Sequence, residues 1–191
     1  MGTSRRPGRA GTPIALTGTP GTGKSTVSQL LAGRHPVLEV ADLAVREGLA
    51  RRTGKRGVEV DLPRLRRRLA KPNRLPDGAI LVGHLAHLLT VRDTVVLRCR
   101  PDVLARRLRR ARRGTANDRR ENFLAEALDV VLLEALGGGG RVWEVDTTGR
   151  SAAAVAAEVE SLIGRRPRSR FGKIRWLSDP RVAAHLLDPP G

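Results

Sequence analysis

Short apolar runs alternate with amphipathic stretches along most of the chain. An uninterrupted apolar run of this length, bounded by turn residues, is typical of a strand that is buried on both faces. The runs that predict such strands are 13–17, the start of 36–44, 79–82, 93–99 and 141–148.

The intervening stretches carry helical spacing instead. In 61–70, for example, Leu62, Leu65 and Leu69 fall on one helical face. Further helices are predicted from about Lys24 to Gly33, from about Asp42, and over 101–113, 123–136 and 151–164. Strand and helix therefore alternate, which predicts a three-layer α/β fold with a five-stranded parallel sheet covered on both faces.

The pattern divides the chain into an N-terminal tail, one folded domain and a C-terminal extension. Residues 1–12 read as a flexible basic tail, and 13–164 as one folded domain. Residues 165–191 are basic and then proline-rich, which predicts a loosely held extension. Within the domain, the polar and glycine-broken stretch 51–60 predicts a loop.

The stretch GTPGTGKS, residues 18–25, fits the phosphate-loop pattern of Gly, four residues, Gly, Lys and Ser/Thr. Its glycines let backbone N–H groups converge on phosphates, and the helix N-terminus adds a favourable field. In this pattern Lys24 reaches the β- and γ-phosphates, and the Ser25 hydroxyl ligates Mg²⁺. Because the loop follows a predicted strand and opens a predicted helix, we expect a nucleotide site here.

Charge and composition limit the possible binding partners and the cellular location of the protein. The chain has 36 Lys+Arg against 19 Asp+Glu, a formal net charge of +17, and most of the excess is arginine. Such a charge indicates either a compositional bias with solvated arginines or an affinity for polyanions such as RNA. Aromatic residues make up only 2%, which disfavours base-stacking platforms. No apolar run reaches membrane-spanning length and no signal peptide is evident, so we expect a cytoplasmic protein without a membrane partner.

The single Cys99 excludes an internal disulfide. The guanine-reading Asn-Lys-x-Asp motif of GTPases does not occur in the sequence, which favours a small phosphoryl-transfer kinase. Such kinases close arginine-bearing segments over the phosphates. The segment RRGTANDRREN (112–122) predicts such a lid, and the alternative is an arginine-rich surface turn.

Five segments occur in a characteristic order: TGTPGTGKST, GHLAHLL, VVLRCRPDVLARRL, RRG with the following REN and AEALDV, and EVDTTG. Together they resemble the archaeal-type adenylate kinase family, which is related to the nuclear adenylate kinase/ATPase of eukaryotes. The resemblance covers about residues 13–160. It implies a P-loop nucleoside monophosphate kinase fold, Mg²⁺-dependent conversion of ATP and AMP to two ADP, and slow ATPase activity. It also implies a role in small-ribosomal-subunit maturation, with a ribosomal protein or rRNA as partner.

The resemblance also implies roles for particular positions. Arg113 in the lid contacts ATP, and the DTTG at 146–149 borders the adenine. The monophosphate-binding insert spans about 38–60, with Asp42 and Arg46 near AMP. The residues implied at the ATP phosphates are Gly21, Gly23, Lys24, Ser25 and Thr26.

His84 falls on the family's Gly-His after the third strand, where it either positions water near the reaction or makes a structural hydrogen bond. For His87 the structural interpretation is favoured. Lys24, Arg113 and His84 are thus the candidate catalytic residues.

The sequence shows three departures from the family pattern. Val82 and Gly83 stand where an acid often precedes the Gly-His, which leaves Ser25, phosphates and water to hold Mg²⁺. Val45 replaces a frequent arginine, with Arg46 one step further on. Thr115 replaces an aromatic residue of the lid.

Two other functions stay open from the sequence. The first is an ATP-dependent ribosome assembly factor with little kinase activity, and the second is a kinase of this fold acting on shikimate or cytidylate. The basic stretch 165–175 is either an RNA-binding tail or a solubilising segment.

Overall fold

A parallel sheet of five strands forms the middle layer of the protein in the computed structural model, which describes residues 11–53, 57–89, 91–187 and 189–190. The sheet order is β2-β5-β1-β6-β7, and β3 and β4 form a separate antiparallel hairpin. The predicted strands and parallel sheet are confirmed. In chain order the strands are β1 (Ile14–Thr17), β2 (Val37–Glu39), β3 (Ala50–Thr53), β4 (Gly57–Val60), β5 (Ile80–Val82), β6 (Asp93–Arg98) and β7 (Arg141–Asp146).

Helices cover both faces of this sheet. They are α1 (Lys24–Leu31), α2 (Val40–Arg46), α3 (Leu62–Leu69), α4 (Pro101–Arg110), α5 (Ala116–Ala127), α6 (Val130–Gly137), α7 (Ala152–Arg165) and α8 (Pro180–Ala183). Short 3₁₀ turns occupy Ala86–Leu88 and Trp176–Ser178. No helix in the described ranges has the length and apolar character that crossing a membrane requires.

Alternate residues of each strand supply the two apolar layers, which explains why the strands read as continuous apolar runs. In β1, Ile14 and Leu16 pack against α1 and α7. Ala15 faces the opposite side, where Leu43 of α2 and Leu65 of α3 pack. Both faces of the sheet are thereby closed, and the polar chemistry is left to the ends of the strands.

The loop predicted at 51–60 is wrong, because β3 and β4 form a hairpin in this region. Arg51 stands opposite Glu59 in its register, and their side chains form an exposed ion pair at 3.5 Å. The alternation of Val58 and Val60 with polar residues is the pattern that indicates a strand here. Residues 54–56 lie outside the described part of the chain.

The segment predicted as a lid, 112–122, is mostly helical. Helix α5 begins at Ala116, so only residues 111–115 separate it from α4. A capping box starts α5: the Asp118 backbone donates to Thr115 Oγ1 at 3.1 Å, and the Thr115 backbone donates to the Asp118 carboxylate at 2.6 Å. The connection that could close over a ligand is therefore shorter than predicted.

The helix predicted over 123–136 is divided into α5 and α6. Asp129 adopts a left-handed conformation, with φ of 58°, between the two helices. Its carboxylate accepts a hydrogen bond from the buried guanidinium of Arg98. This break turns the chain so that a charged group reaches the end of β6.

The C-terminal segment is not loosely held over 168–186. Arg170 exchanges backbone hydrogen bonds with Val142 and Glu144 on either side of Trp143, at 2.9 Å each. Trp176 and Val182 are buried in an apolar cluster against Phe123 of α5. The segment was predicted to be loosely held because most of its residues are polar or proline. The large indole of Trp176 nevertheless buries enough apolar area to hold it against the domain. Of the predicted basic tail at 1–12, residues 1–10 lie outside the described part of the chain.

Candidate active site

The phosphate loop joins β1 to α1 at the centre of the sheet. Gly18, Gly21 and Gly23 have φ of 140°, 95° and 101°, a region that residues with a Cβ rarely adopt. A side chain at Gly18 would also clash with the Leu97 carbonyl oxygen of the neighbouring strand. The glycines are thus required by the backbone path, which presents the loop's N–H groups at the start of α1.

The Lys24 ammonium group lies across this loop. Nζ donates to the carbonyl oxygens of Gly18 at 2.6 Å and Thr19 at 3.0 Å. Burial lowers the pKa of Lys24 to about 8, and the nearby charge of Arg113 acts in the same direction, whereas Glu126 and Glu39 oppose the shift. The site therefore holds a cation that an anionic ligand would stabilise.

A cavity of about 590 Å³ extends from this loop along the carboxyl ends of the strands. In open parallel sheets this edge is the usual ligand site. The residues in its wall are Pro20–Val27, Glu39–Ala41, Val58, Val60, Val82–Leu85, Arg107, Leu108, Ala111, Arg113, Thr147, Arg150, Ala152 and Val155. The wall thus combines the phosphate loop with the ends of β2, β5 and β7, the hairpin and α4.

The structure brings most of the sequence-predicted site residues together. Each of the following lies in the cavity wall: Gly21, Gly23, Lys24, Ser25, Thr26, His84 and Arg113. Asp42 and Arg46 do not. Both are exposed on α2, which starts at the cavity with Val40 and leads away from it.

The two histidines have different surroundings. His84 lies in the cavity wall, where partial burial lowers its pKa and the charge of Lys24 acts in the same direction. His87 is buried, with Nδ1 at 2.9 Å from Thr17 Oγ1 and Nε2 at 3.0 Å from Glu134 Oε2. These partners on both ring nitrogens agree with the structural interpretation of His87.

Arginines line the side of the cavity nearest β7. Arg107 donates to Thr147 Oγ1 at 3.1 Å and to the Thr147 carbonyl oxygen at 2.8 Å, which fixes the loop after β7. Arg150 donates to the Asp146 carbonyl oxygen at 3.0 Å and to Glu158 at 2.7 Å. Arg113 has an exposed side chain with no hydrogen bond or ion pair to any other described residue. Its guanidinium is therefore available to an anionic ligand.

Sequence reasoning missed the buried carboxylate of Glu126, which holds the phosphate loop through a hydrogen bond from Thr19. Its oxygens accept hydrogen bonds from Thr19 Oγ1 at 2.5 Å, Arg98 Nε at 2.8 Å, the Cys99 backbone at 3.1 Å and Trp176 Nε1 at 3.1 Å. The signal was available as two opposite charges next to apolar residues: Arg98 directly after VVL (95–97), and Glu126 within FLAEAL (123–128).

Sequence reasoning also missed Glu39, the last residue of β2. It stands directly opposite Val82 in the parallel register, and it lies in the cavity wall with Ser25. The Ser25 hydroxyl and the Glu39 carboxylate are both oxygen donors, which suits Mg²⁺ bound through phosphates and water. No cluster of three His, Cys, Asp or Glu side chains able to hold a metal alone occurs in the described ranges. The residues therefore fit an ion that arrives with a nucleotide.

The chain is similar to a described family and to several known proteins. A family described as "AAA domain" matches residues 14–129. A protein of Thermococcus onnurineus named "Putative adenylate kinase" is 36% identical over 177 residues, which cover 91% of this chain and 97% of that protein. One of the same name from Archaeoglobus fulgidus is 40% identical over 171 residues, covering 87% and 92%.

Among solved structures, a gluconokinase from Sinorhizobium meliloti superposes with a TM-score of 0.51. The match covers 83% of this chain and 94% of that one, at 20% sequence identity. At this identity the likeness supports the fold alone.

Proposed function

The chain belongs to the family of these archaeal adenylate kinases, and we propose that it transfers the γ-phosphoryl group of ATP to AMP, giving two ADP. The observation that carries the proposal is the extent of the cavity. It runs from the end of β2 to the loop after β7, with the phosphate loop of the central strand β1 between them. In this proposal one nucleotide therefore binds on each side of the phosphate loop.

In this proposal ATP occupies the side nearest β7. Its phosphates lie on the backbone N–H groups of the loop, with Gly21, Gly23 and Thr26 around them. Its adenine borders Thr147 and Arg150. The exposed Arg113 closes over the phosphates when the 111–115 connection moves.

AMP occupies the side nearest β2. Val58 and Val60 of the hairpin give this side an apolar wall, and His84 lies in the wall of the same cavity. Asp42 and Arg46 remain proposed AMP contacts. Since both lie on α2 outside the cavity wall, their contribution requires a shift of α2 when AMP binds.

The reaction needs positioning and charge neutralisation. An oxygen of the AMP phosphate attacks the γ-phosphorus, and the bond from that phosphorus to the β,γ-bridging oxygen breaks. That oxygen stays on the departing ADP. Because the acceptor oxygen is already anionic, no general base is required. Lys24 and Arg113 stabilise the charge on the transferred group.

Mg²⁺ suits the oxygen donors of the site, with Ser25 as its protein ligand. Its chemistry there would be to neutralise charge on the β- and γ-phosphates.

The test is a panel of nucleoside monophosphates with ATP and Mg²⁺, followed by chromatography of the diphosphates. We expect AMP to give ADP and Lys24→Ala to abolish the product. If ATP binds but no monophosphate yields a diphosphate, the proposed function is wrong.

An ATP-dependent assembly factor that binds rRNA or a ribosomal protein is the second candidate function. The observation that favours it is the basic surface of α3, where Arg64, Arg66, Arg67 and Arg68 are all exposed. Arg168, Lys173 and Arg175 add exposed charge in the C-terminal segment. Such a surface suits phosphate backbones.

Removing charges from the C-terminal segment tests whether that segment binds RNA or only keeps the protein soluble. Because Trp176 is a core residue, truncation would unfold the segment, so Arg168, Lys173 and Arg175 are replaced by alanine instead. We expect weaker binding of a small-subunit rRNA fragment and a shallower salt dependence. Unchanged affinity across the salt series would remove the segment from this role.

A further inference from the structure

We infer that the Glu39 carboxylate binds the hydration shell of the Mg²⁺ that accompanies ATP, a role that no sequence motif assigns to it. The inference rests on the proposed nucleotide kinase function. It starts from the position of Glu39 at the end of β2. In the parallel register Glu39 is level with Val82 of β5, whose neighbour β1 leads into the phosphate loop. Glu39, Lys24 and Ser25 all line one cavity.

The Glu39 carboxylate has no hydrogen bond or ion pair to any other described residue. This is unusual for a partly buried acid in a chain with 36 Lys+Arg and 19 Asp+Glu. Glu126 and Glu144, by comparison, both bind Arg98. A carboxylate withdrawn from water without a partner is costly, which indicates that its partner is a ligand.

That partner is not Lys24, whose ammonium group already bonds two carbonyl oxygens of its own loop. Burial and then the nearby Asp42 raise the pKa of Glu39, and the charge of Lys24 opposes this shift by favouring the ionised form. A divalent cation near the loop would favour the ionised form further. The electrostatics of the pocket therefore suit a cation bound between Glu39 and the phosphates.

The chemistry of Mg²⁺ fits this arrangement. Magnesium keeps several waters and binds proteins through one or two carboxylates together with substrate phosphates. Ser25 and Glu39 supply two oxygen groups on one cavity wall, and phosphates and water complete the set. Glu39 thus provides the acid that the neighbouring strand lacks at Val82.

Glu39→Gln tests the inference because it keeps the shape and removes the charge. Glu59→Gln is the matched control, since Glu59 is an exposed glutamate on β4. Calorimetry measures ATP affinity with Mg²⁺ and with EDTA, and electron paramagnetic resonance measures Mn²⁺ bound with ATP. Urea unfolding verifies that each variant is folded.

We expect Glu39→Gln to weaken Mg²⁺–ATP and Mn²⁺–ATP binding by about tenfold to a hundredfold. Metal-free ATP should bind equally well or more tightly, because a negative charge near the phosphates is gone. Glu59→Gln should match the wild type in both conditions.

Three results would overturn the inference. An equal loss with and without metal would make Glu39 a structural residue of the loop, and no loss would remove it from the site. A change confined to AMP affinity would assign it to the acceptor instead, which also contradicts the inference. These outcomes are independent of catalysis: if the wild type binds Mg²⁺–ATP but forms no ADP, the proposed function fails and the metal result still stands.

Discussion

The Thr19 hydroxyl of the phosphate loop donates a hydrogen bond to Glu126 Oε2 of α5 at 2.5 Å, and both side chains are buried. The same carboxylate binds Arg98 and the indole of Trp176 through its other oxygen. The loop that holds phosphates is therefore supported by groups from β6, α5 and the C-terminal segment. Changes far from the cavity are expected to alter nucleotide binding through this contact.

Removing the Glu126 carboxylate is expected to destabilise the fold strongly. Glu126→Ala leaves Arg98 with two of its three acidic partners and leaves several buried donors without an acceptor. Breaking a buried charge pair in this way costs about 3–5 kcal/mol of unfolding free energy. Urea denaturation measures the loss, and calorimetry measures the accompanying loss of ATP affinity.

Glu121→Ala is the control for this prediction, because Glu121 lies on the same helix and is exposed. Its unfolding free energy should change by no more than about 0.5 kcal/mol. Similar values for the two variants would contradict the supporting role of Glu126.

Trp176→Ala tests whether the C-terminal segment is part of the core. Trp176 is 8% exposed and packs with Phe123 and Val182, so truncation leaves a cavity that costs about 3–5 kcal/mol. Leu177→Ala is the comparison, since Leu177 is 49% exposed and its truncation costs little. Urea unfolding followed by circular dichroism reports both. A loosely held segment would instead give two nearly identical transitions.

ATP affinity is expected to fall as the pH rises through about 8. In the free protein the pKa of Lys24 is about 8, and bound phosphates favour the charged form and so raise that pKa. Above this pH, binding must therefore take up a proton. Calorimetry in buffers of different ionisation enthalpy detects the uptake directly.

Lys24→Arg provides the reference, because arginine stays protonated throughout this range. Its affinity, although weaker, should vary little across the same pH series. A wild-type affinity independent of pH would contradict the proposed titration of Lys24.

Gly18→Ala should abolish the loop geometry. The substitution combines an unfavourable φ of 140° with a clash against the Leu97 backbone, which cannot move without displacing β6. Gly33→Ala is the control, since a Cβ at Gly33 meets no atom within 4 Å. We expect loss of ATP binding and a lower melting temperature for Gly18→Ala alone. Equal melting temperatures would show that the loop tolerates the side chain.

The sheet and the phosphate loop followed from the sequence because their causes are local. Apolar runs bounded by turns give buried strands, and a loop with glycines at fixed spacing can be recognised without its surroundings. The hairpin at Ala50–Val60 was missed because charged residues such as Arg51 concealed a period of two.

The remaining part of the site depends on pairings between distant positions. Glu39 belongs to none of the quoted motifs, and Glu126 stands in the AEALDV segment without a partner visible in the sequence. The role of each depends on the strand or loop that it meets in the folded chain. The same holds for Trp176, whose contact with Glu126 spans 50 positions. The sequence shows that Glu126 is a charged residue among apolar ones, but it does not show which residues bind its carboxylate.

The contacts that join Thr19, Glu126 and Trp176 have a consequence for synthesis of the protein. The chain passes 107 positions from Thr19 to Glu126 and another 50 to Trp176 before the three groups can meet. Because a ribosome releases the N-terminal part first, the nascent chain exposes its phosphate-binding motif long before that motif acquires its native shape. Fragments released early should therefore carry the motif without sequestering cellular nucleotide.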